Sequence, residues 1–213
     1  MSISSQHQRR SIRLPGYDYS QAGEYFITIC THEHEYLFGE IANDEMQLNA
    51  FGRIVDGEWQ KSAEIRTEIE LGAYVIMPNH FHAIVHILDS DDAIKGMAGI
   101  QNDGDHSNSM VRAQSNDIIG DPCRGDRPVA PTVVARTIAN GPHPKSIGSL
   151  LAGFKSAVTK EINQMRSTPA ALVWQRNYYE HIIQSEKEYL NIEAYIENNP
   201  ANWGKDSLWP ENR

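Results

Sequence analysis

Two strand-like runs joined by a proline constrain this chain more than any other stretch. Ile69 to Met77 and His80 to Leu88 are apolar and rich in β-formers, and Pro78-Asn79 between them is a tight-turn signal. The spacing predicts an antiparallel strand pair, so the fold must be built around a sheet. Side chains alternate along a strand, which puts His80 and His82 on one face with Cα atoms roughly 6.5–7 Å apart and sends Phe81 to the other face. Two imidazoles so placed can converge on one divalent cation, or they can be hydrogen-bonded core histidines. The pair alone leaves both readings open. His86 extends the same polar stripe.

The flanking elements follow from periodicity. Glu24 to Thr31 reads as the first core strand, and Tyr36 to Ile41 with Met46 to Leu48 reads as a short hairpin around Asn43-Asp44. Asn49 is a candidate N-cap for a helix to about Arg66, with Phe51, Ile54, Val55, Trp59, Ala63 and Ile65 at helical spacing. A second helix runs from a Ser146 cap to about Met165 and carries Ile147, Leu150, Leu151, Phe154, Val158 and Ile162. Ala171 to Gln175 reads as a short final strand, and Glu186 to Asn199 as a closing helix stopped by Pro200. The order strand, helix, two-stranded hairpin, helix, strand predicts a ferredoxin-like α+β sandwich, a central antiparallel sheet with helices packed on it. Between Asp89 and Lys145, Asp, Asn, Ser, Gly and Pro dominate and periodicity vanishes, so 89–145 reads as an insertion, flexible over most of its length.

A chain of 213 residues is long enough for one well-buried core. No apolar run approaches the roughly 20 residues of a membrane span, and Met1 to Arg10 lacks the apolar centre of a signal peptide, which points to the cytoplasm. Cys30 and Cys123 are the two cysteines, and they suggest a reducing compartment with no disulfide framework. A net charge of −9 argues against non-specific coating of nucleic acid. It leaves room for a local basic groove, for which Arg9, Arg10 and Arg13 near the start and Lys155 with Lys160 on the second helix are the candidates.

The closing helix holds a second chemical pattern. Tyr195 and Asn199 are spaced i, i+4 and share a face one turn apart. A phenol is a weak nucleophile unless a nearby cation polarises the phosphate it attacks, and an amide carbonyl is a hard ligand suited to Mg²⁺ or Mn²⁺. Tyr195 can equally pack on the sheet while Asn199 caps the helix.

Pro78-Asn79-His80-Phe81-His82, Gly153-Phe154-Lys155-Ser156, Trp174-Gln175 with Tyr179-Glu180-His181-Ile182-Ile183, and Tyr195-Ile196-Glu197-Asn198-Asn199-Pro200 resemble, in that order, the single-tyrosine HUH transposases. The match is closest to their REP-associated tyrosine transposase branch and covers 9–203 apart from the insertion, which leaves 1–8 and 204–213 as flexible termini. The resemblance implies a metal-dependent single-stranded DNA endonuclease and strand transferase. It implies that His80, His82 and Asn199 hold Mg²⁺ or Mn²⁺ and that Tyr195 forms a 5′-phosphotyrosine. The implied substrate is a palindromic hairpin with a single-stranded flank, with Arg9, Arg10 and Arg13 reaching phosphates, Lys155 meeting the stem, and Tyr17 and Tyr19 stacking on bases. The implied assembly is a monomer or a homodimer. Tyr178 and Tyr179 rank below Tyr195 as nucleophiles because neither has a matching ligand at i+4. Two alternatives stand beside this reading: a domesticated hairpin-binding protein without cleavage activity, and a small metal-dependent hydrolase.

Overall fold

The computed structural model describes residues 21–89 and 142–205. Arg9, Arg10, Arg13, Tyr17, Tyr19, Cys123, most of the 89–145 insertion and the end of the chain lie outside the described residues. Strand β1 (Gly23–Cys30) leads through a 3-10 turn (His32–His34) to a hairpin of β2 (Gly39–Ala42) and β3 (Glu45–Leu48). Helix α1 (Ala50–Ile65), strands β4 (Ile69–Ile76) and β5 (His80–Ile87), helix α2 (Ile147–Met165), strand β6 (Tyr179–Ile183) and helix α3 (Glu186–Asn198) follow, and a 3-10 helix (Pro200–Lys205) closes the described chain. The main sheet has the order β4-β5-β1-β6 with every neighbouring pair antiparallel. That is the ferredoxin-like arrangement the element order predicts, with β5 and β1 central.

Both faces of this sheet are covered, which is why β5 is almost continuously buried and reads as an unbroken apolar run. Tyr25, Ile27 and Ile29 of β1 and Phe81, Ala83 and Val85 of β5 pack with Val55 and Trp59 of α1 and Leu150, Phe154 and Val158 of α2. The alternate residues Phe26 and Ile84 turn to the other face, where Ile192 and Ile196 of α3 meet them. Each fully buried Trp, Phe or Ile in these layers contributes about 1.5–3 kcal/mol from the removal of apolar surface from water.

Side-chain bonds set where the helices begin. Asn49 Oδ1 accepts from Phe51 N at 2.8 Å and Gly52 N at 3.0 Å, and the Ser146 and Ser185 hydroxyls cap α2 and α3 through Ser149 N and Glu188 N. Gly52 is required by a close approach, since a Cβ there would overlap the Phe38 carbonyl oxygen where the hairpin meets α1. On β4 a bulge sets Gly72 and Ala73 against Ile84 alone, because Leu71 pairs with Val85 and Tyr74 with Ala83. This extra residue keeps Ile69, Leu71, Tyr74 and Ile76 all on the α1 face, which strict alternation would not.

One expectation is corrected. Ala171 to Gln175 is not a strand, because β1 ends at Cys30 and this segment runs past that end. It keeps one bridge between Thr31 and Trp174, with His32 N bonded to Val173 O and Gln175 N to Cys30 O, both at 2.9 Å. The fourth strand is instead Tyr179–Ile183, which pairs along β1 from Thr28↔Tyr179 to Glu24↔Ile183. Cys30 is buried at the end of β1. Among the described residues no helix is long and apolar enough to cross a membrane.

Candidate functional site

His80 and His82 lie on central strand β5, on the face covered by α3. Register places Cys30 opposite His80 and Thr28 opposite His82 on β1, and Thr28, Asn79, His80 and His82 are all 0% exposed. The two imidazole rings are 4.5 Å apart between centroids. His80 Nδ1 lies 2.8 Å from Asn79 Oδ1, and His82 Nδ1 lies 2.7 Å from Thr28 Oγ1. Burial lowers the His82 pKa from 6.5 to about 3, so this ring is neutral at any physiological pH. Neutral imidazole is the form that can offer a lone pair.

Helix α3 and the turn after it run along β5 in the opposite direction. Tyr189 meets His86 at 5.8 Å between ring centroids, Tyr195 meets His82 at 5.2 Å, and Trp203 meets His80 at 5.7 Å. Tyr195 Oη reaches 3.2 Å from His82 Nε2, a contact between residues 113 positions apart. Phe26 fixes both partners, stacked on His82 at 5.4 Å and edge-on to Tyr195 at 6.2 Å. Asn199, one turn beyond Tyr195, caps α3 and is 3% exposed, at a point in the chain between the residues that meet His82 and His80. His80 Nε2 and Asn199 Oδ1 are buried atoms that make no hydrogen bond to the described residues, while each residue is engaged through other atoms.

Two imidazoles and an amide carbonyl are donors of the kind Mg²⁺ or Mn²⁺ accepts. No cluster of three His, Cys, Asp or Glu side chains able to hold a metal occurs among the described residues, so the third protein donor in such a set would be the Asn199 amide.

The other candidates fall elsewhere. His86 is beyond the pair, 3.5 Å from Glu24 Oε1. Tyr179 shares the α3 face and meets Phe26 edge-on at 6.2 Å, but burial first and the Glu188 charge second raise its pKa, which makes its phenolate harder to form. Tyr178 packs into the opposite layer. Lys155 is also on that opposite layer, on α2, where its ammonium group donates to the carbonyls of Gln175, Arg176 and Asn177. It borders a hollow of about 510 Å³ between α2 and the segment 170–176, which adjoins another of about 540 Å³ at Lys160, Asn163 and Ala170. Lys155, Lys160, Arg176, Ser156, Thr159 and Asn163 line them, and no acidic residue does so among the described residues.

Thr28 and Asn79 are partners of the site that the motif reading passes over. Asn79 could have been found, since it directly precedes His80 in a tight turn. Thr28 could not, because its pairing with His82 is a matter of strand register across 54 positions.

No known protein-family profile matches the chain. An uncharacterized protein of Haemophilus influenzae is 36% identical over 203 residues, covering 95% of this chain and 94% of that protein. Among solved structures, a REP-associated tyrosine transposase bound to a REP hairpin aligns over 92% of this chain and 74% of its own, with a TM-score of 0.51 and 16% identity. A candidate transposase of Deinococcus radiodurans aligns over 87% of this chain and 95% of its own with 15% identity and a TM-score of 0.37. The likeness to the hairpin-bound transposase is one of fold, and the fold that the motif resemblance implies is the fold found.

Proposed function

The chain belongs to one family with the Haemophilus influenzae protein, and from its fold and site we propose that it is a single-tyrosine endonuclease and strand transferase acting on single-stranded DNA beside a hairpin. The observation that carries this reading is the 3.2 Å approach of Tyr195 Oη to His82 Nε2, with the His80 ring 4.5 Å further along the strand. A phenol brought to a pair of imidazoles, inside a fold shared with a tyrosine transposase, is the arrangement this chemistry needs. His80, His82 and Asn199 would hold a divalent cation, Mg²⁺ or Mn²⁺, which when bound supplies charge to polarise a phosphodiester. Tyr195 Oη forms the bond to phosphorus as the bond to the 3′ oxygen breaks. The phenol proton leaves to solvent, and the departing 3′ oxygen takes one up. The product is a 5′-phosphotyrosine and a free 3′-hydroxyl, and because the bond is exchanged rather than hydrolysed, rejoining needs no nucleotide cofactor.

Residues 9–203 act as one catalytic domain in this reading, with 89–145 inserted between β5 and α2. Tyrosine and histidines meet within one chain, so a monomer carries the pair it needs. The hollows along α2, with no acid among their described lining residues, suit a duplex stem, whose phosphates seek Lys and Arg. The test is a hairpin oligonucleotide with a single-stranded flank, incubated with the protein and Mg²⁺ or Mn²⁺. A covalent adduct on the 5′ end of the product, absent from Tyr195→Phe, is expected. An adduct that survives in Tyr195→Phe would sink the assignment, and hairpin binding with no adduct under any divalent metal would leave a binding protein only.

A further inference from the structure

Resting on the metal reading above, we propose that Thr28 and Asn79 are positioning residues that fix both histidines in the tautomer carrying the proton on Nδ1, so that each Nε2 presents a lone pair to the same side of the sheet. At His80 one neighbour decides the proton. Asn79 Oδ1 can only accept, so at 2.8 Å it takes its hydrogen from His80 Nδ1, and a neutral ring with Nδ1–H has an unprotonated Nε2.

His82 has two neighbours, Thr28 Oγ1 at 2.7 Å from Nδ1 and Tyr195 Oη at 3.2 Å from Nε2. Both are hydroxyls, and either could donate. A phenol is the more acidic and therefore the better O–H donor, so the Tyr195 hydroxyl donates to Nε2 and the ring gives its Nδ1–H to Thr28. Both rings thus carry the same tautomer, set by different partners. Neither partner has slack: all four residues are fully buried, Thr28 is locked opposite His82 by the β1–β5 ladder, and the Asn79 carbonyl accepts from Thr31 N and Thr31 Oγ1, each at 2.9 Å. The Asn79 backbone is tied to the end of β1 while its side chain orients the first imidazole of β5. One turn and one strand register therefore aim both nitrogens.

This arrangement is the second layer that a histidine ligand needs, because an imidazole free to flip or change tautomer presents a proton where a cation must bind. The test has two arms on the full-length protein. Long-range ¹H–¹⁵N spectra are expected to show Nδ1 protonated and Nε2 unprotonated in both His80 and His82, and Nε2–H in either ring overturns the assignment. Mn²⁺ titration followed by calorimetry is expected to show affinity reduced about 10–100-fold in Asn79→Ala and Thr28→Val. Asn79→Asp and Thr28→Ser, which keep an acceptor in place, are expected to stay within about threefold of wild type on the same scale. Equal loss in the conservative and non-conservative variants would mean packing, not proton placement, and would overturn the proposal. Wild-type protein that shows the expected tautomers but takes up no Mn²⁺ overturns the metal reading and leaves the tautomer assignment standing.

Discussion

Phe26 touches three rings that matter to the site, and through them it separates two tyrosines that share a face of the sheet. Tyr195 lies over His82, whereas Tyr179 lies at the start of β6, its pKa raised by burial and by Glu188. The geometry therefore assigns different fates to two similar substitutions. Tyr179→Phe is expected to keep adduct formation within about fivefold of wild type, since its ring still meets Phe26 and a lost hydroxyl removes at most a net hydrogen bond of about 1 kcal/mol. Denaturing gel analysis of the protein–DNA adduct checks this, and loss of the adduct in Tyr179→Phe with retention in Tyr195→Phe would exchange the two roles. Asn199 provides a second contrast. Asn199→Ala removes the amide oxygen and is expected to weaken Mn²⁺ binding by about tenfold, the lower end of what loss of a metal-site partner costs. Calorimetric titration reads this, and an unchanged affinity would exclude Asn199 from the donor set.

At the scale of elements, the position of Tyr195 depends on how α3 is seated, and its first turn is seated by one carboxylate. Glu188 accepts from Gln184 N at 2.8 Å and meets His181 Nε2 of β6 at 2.7 Å, two turns before Tyr195 on the helix. The Gln184 backbone N–H, followed by His181, holds the Glu188 pKa below its ordinary value against the opposing effect of burial. A carboxylate with a depressed folded pKa contributes stability that is fully present above its unfolded value of about 4.3 and is lost as pH falls through the lower folded value. Glu188→Gln is therefore expected to cost about 1 kcal/mol near pH 7, a modest figure for a partly exposed site, and the difference should shrink at pH 3. Urea midpoints at the two pH values decide it, and a cost that grows toward acid would contradict the linkage. The same strand marks the limit of sequence reading. The strands that alternate cleanly or run apolar, β1, β4 and β5, were legible, as were the helices with good caps at Asn49, Ser146 and Ser185. Strand β6 was not, because Glu180 and His181 make Tyr179–Ile183 look polar, while Val173 and Trp174 make the neighbouring segment look like a strand. Tertiary position decided against propensity: only Tyr179–Ile183 lies alongside the free edge of β1. In the candidate site, His80, His82, Tyr195 and Asn199 stand out in the sequence as types at telling spacings, but the contacts of Thr28 and Phe26 with His82 exist only once β1 and β5 are in register.

The whole molecule is a sheet with different work on its two faces. The layer of α1 and α2 holds the larger core, where Trp59 is fully buried and meets Phe81 at 4.9 Å and Phe154 at 5.0 Å between ring centroids. Trp59→Ala is expected to cost about 3–5 kcal/mol, by lost burial and the cavity left behind, measured as a shift in the urea midpoint. Phe81 stands between the two histidines in sequence, so this core also anchors the strand that carries them. The outer surface of the same layer carries the hollows along α2, and here the total charge misleads. A chain at −9 reads as a poor partner for nucleic acid, yet Lys155, Lys160 and Arg176 border a surface with no acid among its described lining residues. Lys155 is already committed to carbonyls of the 175–177 segment, which leaves Lys160 and Arg176 as the cations to probe. If a duplex stem lies along this layer while its single-stranded flank passes round the sheet to Tyr195, the two surfaces can be separated by experiment. Lys160→Glu with Arg176→Glu should weaken hairpin binding and lower the slope of log affinity against log salt by about 0.9 for each phosphate no longer neutralised. Mn²⁺ affinity should not change, because the proposed ligands lie across the sheet. A double variant that binds the hairpin with the wild-type salt slope would move the stem off α2, and the cations that hold it would then have to be sought among the arginines near the start of the chain.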